Sequence, residues 1–170
     1  MRATLTLTLT VGGLLVTPAY AATLEVNVEI PKIDVAEYHR PYVAVWVEGA
    51  DAQVAQNLAV WYQNKGTAEG HGTKWLPDLR QWWRKSGRSA QLPIDGVTGP
   101  TRPAGTHALS FSQAQLRDLK PGQYTLVVEA AREVGGRELL KVPFQWGGAA
   151  QQGKAQGSSE LGAVSLAVRP

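Results

Sequence analysis

"TLEVNVEI", residues 23–30, decides the fold. Leu24, Val26, Val28 and Ile30 alternate with Glu25, Asn27 and Glu29, a period of two that marks a strand with one dry face and one wet face. "PYVAVWVE" (41–48) is apolar on both faces, as suits a central strand between packed layers. Further strands are predicted over 56–63, 107–112, 123–131, 138–146 and 162–168. "EVGGRE" (133–138) joins two of them as a Gly-Gly hairpin turn. About seven short strands separated by turns predict an all-β fold, an immunoglobulin-like antiparallel β-sandwich.

One stretch breaks the period. In "KWLPDLRQWWRKSG" (74–87), Trp75, Leu79, Trp82 and Trp83 recur at helical spacing, Pro77 and Asp78 suit a first turn, Arg84 and Lys85 a last turn, and Gly87 a cap. One short inserted helix is expected there. "GGAAQQGKAQGSS" (147–159) is low in complexity and reads as a flexible loop before the last strand.

Toward the N-terminus, Arg2, an apolar run ending near Val16 and the Ala19-Tyr20-Ala21 site have the pattern of a secretory signal peptide over residues 1–21. The expected mature chain is a single domain, 22–170, exported to the periplasm and not membrane-spanning. Arg2 is the only charged residue of the leader, so the rest keeps 16 basic against 14 acidic side chains. That excess is too small to imply nucleic acid. Cysteine is absent, which excludes disulfides and thiolate-held haem c or iron–sulfur clusters. Redox chemistry would need another cofactor.

His39, His71 and His107 have no metal-ligand spacing, and no Gly-x-Ser-x-Gly elbow is present, so neither a metal centre nor a hydrolase is expected. Glu129, Arg132, Glu133, Arg137 and Glu138 surround the predicted hairpin and read as a solvated turn with ion pairs. Trp61, Tyr62, Trp75, Trp82 and Trp83 crowd the middle third. They suit either a packed core or a platform on which a sugar or a flavin ring stacks.

"DGVTGPTRPAG" (95–105) holds two hydroxyls around one glycine, which as residues alone is either a plain turn or a loop built to be modified. Together with "RPYVAVWVE", "LAVWYQ", "KWLPDLRQWWR" and "LKPGQYTLVVEAAREVGGREL", it resembles a family of predicted periplasmic proteins over essentially the whole mature chain. The resemblance implies an immunoglobulin-like fold akin to flagellar hook-capping proteins. It also implies company with PepSY-type inner-membrane proteins and a FAD:protein FMN transferase.

The loop is similar to that transferase's acceptor motif, Asp-x-x-(Ser/Thr)-Gly-Ala-(Ser/Thr). Asp95, Thr98 and Gly99 match in order, Thr101 falls on the acceptor hydroxyl, and Pro100 stands where the pattern has alanine. The resemblance thus implies FMN held covalently through a phosphoester at Thr101. The protein would be a flavin-carrying electron-transfer partner, a substrate of the transferase and not itself an enzyme, with Trp82, Trp83 or Arg102 as candidates to cover the ring. The alternative is a non-redox periplasmic binding or scaffold module, a use equally open to this fold.

Overall fold

The alternation of residues 23–30 becomes β1 (Thr23–Ile30), with Leu24, Val26, Val28 and Ile30 fully buried and the residues between them half-exposed. In this computed structural model, residues 22–66 and 70–170 are described. The expected leader, residues 1–21, lies outside them. Eight further strands follow among the described residues: β2 (Tyr42–Glu48), β3 (Val54–Tyr62), β4 (Thr98–Pro100), β5 (Gly105–Ser112), β6 (Gly122–Ala131), β7 (Arg137–Trp146), β8 (Gln151–Gln156) and β9 (Ala163–Arg169). They form two sheets, in the orders β5-β1-β9-β8 and β4-β3-β2-β6-β7. The all-β sandwich is present, with nine strands where about seven are predicted.

The main core lies between the sheets. Val43, Val45 and Val47 of β2 face it together with Leu126 and Val128 of β6, the apolar set of β1, and Val164, Leu166 and Val168 of β9. The other side of β2, Ala44 and Trp46, is equally dry because a second cluster covers the outer face of the five-stranded sheet. The chain between β3 and β4 supplies that cover, seating Leu76, Leu79 and Trp82 against Val60, Tyr62 and Val127. A strand buried on both faces therefore reads as a continuous apolar run.

Two departures from expectation are informative. Residues 147–159 are not simply a flexible loop, since β8 pairs along its whole length with β9, Gln151 opposite Val168 and Gln156 opposite Ala163. Its strand form comes from backbone pairing, which its composition does not announce. The single helix expected over 74–87 is three pieces: a 3-10 helix (Gly72–Asp78), α1 (Arg80–Lys85) and a 3-10 turn (Gly87–Ser89). Pro77 lies inside the first piece instead of starting an α-helix, and the break falls at Leu79, whose ψ of 71° is not helical. Ser86, not Gly87, caps α1.

Trp82 is held by its indole N–H donating to Asn57 Oδ1 at 2.9 Å, while Asn57 Nδ2 donates to Ser86 Oγ at 2.7 Å. Glu129 on β6 is fully buried and accepts from the backbone amides of Gln81 and Trp82 at 2.9–3.1 Å. It satisfies donors that a helix start leaves unpaired, and so pins α1 to the sheet. Among the described residues no helix is long and apolar enough to cross a membrane.

Candidate functional site

The acceptor-like loop is built by a tight turn followed by a short edge strand. Ile94 O accepts from Val97 N at 3.2 Å and Thr98 N at 2.9 Å, while Thr98 Oγ1 accepts from Ile94 N at 2.8 Å. Gly96 takes the left-handed φ of 71° that the reversal requires. The chain then runs as β4 beside β3, with Thr98 opposite Val60, Gly99 opposite Trp61 and Pro100 opposite Tyr62. This pairing is parallel, unlike the antiparallel ladders of the rest of the sandwich. Pro100 is exposed on the sheet's edge strand, where its missing N–H is tolerated.

Thr101 leaves this strand half-buried on the wall of a cavity of about 740 Å³. Trp75 comes from the 3-10 helix and Arg80 from the start of α1. Tyr38 and Arg40 come from the segment before β2, and Arg132 and Arg137 flank the β6–β7 hairpin. Tyr42, also on the wall, donates its hydroxyl to Gly72 O at 3.2 Å, and burial pushes its phenol above the ordinary value.

The other predicted loop residues stand elsewhere. Asp95 is exposed and lines a separate, smaller hollow with Asn57, Lys85 and Val97. Thr98 is engaged in its own turn. Gly99 packs beside Trp61, and a Cβ there would meet Trp61 Cδ1 at 3.4 Å, an ordinary contact. Arg102 lies over the Trp61 ring, 5.4 Å from its centroid.

The tryptophans divide. Trp61, Tyr62 and Trp82 are core, at 2%, 3% and 0% exposure, and Trp83 packs on the second cluster. Trp75 is 41% exposed and opens on the cavity. None of Trp82, Trp83 and Arg102 lines the cavity of Thr101.

The hairpin turn, residues 133–137, is exposed and its cluster holds ion pairs, as expected, but these run to carboxylates that are buried, Glu129 and Glu160. Arg132 Nε and Nη2 grip Glu160 at 2.8 and 3.1 Å, with both side chains buried, and Gly136 N donates to the same carboxylate at 2.8 Å. Arg137 Nη1 donates to buried Glu129 at 3.0 Å. Glu138 accepts from the amides of Ser158, Ser159 and Leu161 at 2.7–3.0 Å. Burial raises its pKa, but those amides outweigh it and hold the carboxyl at about 2. The alternation of strands hid these roles, because the partners, the Glu160 carboxylate and the amides of Ser158, Ser159 and Leu161, lie beyond β8. Tyr38 and Arg40, too, were missed as site residues, since only the fold brings them to the wall that Thr101 shares.

Each histidine has its own setting. His39 meets Glu37 at 2.8 Å and Glu133 at 3.5 Å, His107 stacks edge-on to Trp61, and His71 is exposed. Among the described residues no group of three or more His, Cys, Asp or Glu gathers as a metal site.

No curated protein and no solved structure matches the chain significantly. A family described as predicted periplasmic proteins, DUF2271, matches residues 23–163, which takes in β1 to β8, the inserted helical segment and the Thr101 loop and stops at the start of β9. The chain belongs to the DUF2271 family of predicted periplasmic proteins.

Proposed function

We propose that this periplasmic protein carries electrons on FMN attached through a phosphoester to Thr101, exchanging them with a PepSY-type inner-membrane protein. The observation that carries the reading is the position of Thr101, at the end of an edge strand and on the wall of the 740 Å³ cavity. That volume lies within the roughly 300–1,000 Å³ usual for cofactor sites. The wall suits the group: Trp75 and Tyr38 offer aromatic faces to a flat ring, and Arg40 and Arg80 offer guanidinium donors to an anion. When bound, a flavin supplies one- and two-electron exchange, and the protein supplies its position and surroundings.

Gly99 adds support. Its φ is not left-handed and a Cβ would fit beside Trp61, so folding gives no reason for glycine there. Recognition of the loop by a modifying enzyme does. In the attachment step the Thr101 Oγ–phosphorus bond forms as the phosphoanhydride of FAD breaks. AMP leaves with the bonding electron pair, and the hydroxyl proton passes to a base of the FAD:protein FMN transferase, the usual partner of Mg²⁺ in such transfers. The chain is the substrate of that enzyme.

The test is co-production of the exported protein with the transferase, followed by ultraviolet-excited fluorescence of the denatured band in a gel. Thr101→Ala abolishes the signal. Thr98→Ala reduces it less, since Thr98 Oγ1 closes the turn on Ile94 N. Fluorescence that survives Thr101→Ala overturns the assignment.

A further inference from the structure

We infer that the cavity is a noncovalent receptor for a flat aromatic ring bearing an anionic group, able to hold such a ligand without any bond to Thr101. This deepens the proposed function and rests on it for the identity of the ligand, not for the existence of the site.

Two independent features of the wall carry the inference. The first is apolar. The large hydrophobic side chains exposed among the described residues are Val35, Tyr38, Trp75 and Val134, and all but Val35 line this one cavity. Scattered exposed apolar residues need no explanation, but aromatics gathered at one concave site do. The Tyr38 ring centroid lies 6.0 Å from the Arg132 guanidinium carbon, and Arg132 is fixed by buried Glu160.

The second feature is charge. Four guanidiniums line the cavity. Arg132 and Arg137 are each matched by a buried carboxylate, Glu160 and Glu129. The Arg40 and Arg80 side chains are exposed, and among the described residues their guanidiniums make no hydrogen bond or ion pair. Two carboxylates share the wall, Asp78 and Glu133, and Glu133 lies 3.5 Å from His39 Nδ1. The matched pairs thus shape the wall, while Arg40 and Arg80 are left to receive an anion. A guanidinium is suited to both parts of such a ligand, since its planar fork binds phosphate and its face stacks on rings.

The experiment uses the mature protein as Thr101→Ala, which removes the ester, titrated with FMN while flavin fluorescence polarisation is read. Riboflavin serves as the uncharged comparator and inorganic phosphate as a competitor. FMN binds saturably and about tenfold or more tighter than riboflavin. Adding Arg40→Ala with Arg80→Ala erases that preference by weakening FMN alone. Adding Trp75→Ala instead weakens both flavins, and phosphate displaces FMN only when in large excess. All three added substitutions fall on exposed side chains, and an unchanged Tm verifies the fold.

Absence of saturable FMN binding, equal affinity for FMN and riboflavin, or displacement by phosphate at concentrations matching FMN each overturns the inference. The two proposals fail separately. An unmodified wild-type mass beside intact titration removes the ester and leaves the receptor, whereas a modified mass without titration does the reverse.

Discussion

A methyl group at position 99 would touch Trp61 Cδ1 at 3.4 Å, and the backbone there is not left-handed. Gly99→Ala is therefore expected to change unfolding free energy by no more than about 0.5 kcal/mol, measured by urea denaturation. On the proposed function the same variant is expected to lose flavinylation when co-produced with the transferase, because that proposal has the enzyme, and not the fold, read the glycine. Retained modification would remove that support for the loop's role. Glu138 gives a prediction of a different kind. Its carboxyl falls from the ordinary 4.5 to about 2 in the folded chain, so its ionised form stabilises the native state above pH 4.5. That contribution is lost as pH falls from 4.5 toward about 2. A series of Tm values across this window should decline less steeply for Glu138→Gln than for the wild type, and parallel slopes would contradict the assignment.

Among the elements, β8 tests the sandwich most sharply. Its sequence, "QQGKAQ", has one apolar side chain, Ala155, yet it closes the edge of the four-stranded sheet against β9. Amide hydrogen exchange should show protection at the residues of 151–156 that bond β9, whereas a flexible loop would exchange all of them at once. β1 was legible because water wets one of its faces and leaves a period of two. β2 was legible as buried on both sides because the inserted segment covers the outer face of its sheet. β8 was not, since a polar edge strand is held by backbone pairing, and β4 was too short to leave a period. In the helical insertion Leu79 and Trp82 are buried as their spacing predicts, but Trp75 is exposed, Leu76 packs in the cluster instead, and Leu79 leaves the helical region and divides the run. The site was half legible. Thr101 and Trp75 stand out in the sequence, whereas Tyr38, Arg40, Arg132 and Arg137 join them only through the pairing of β2, β6 and β7.

At the level of the whole molecule, two sheets and a helical cover are held without a single cysteine, so the cavity wall depends on packing and on buried ion pairs. Glu129 ties α1 to β6, and Glu160 ties the β6–β7 hairpin to the chain between β8 and β9. These contacts fix the surroundings of Thr101 from three directions of the chain. The reading as an electron carrier then depends on one covalent event. The most direct measurement is the intact mass of the mature protein purified from cells in which the transferase is active. The account predicts one FMN less one water above the chain mass, lost in Thr101→Ala. A colourless wild-type protein of unmodified mass from those cells would contradict it.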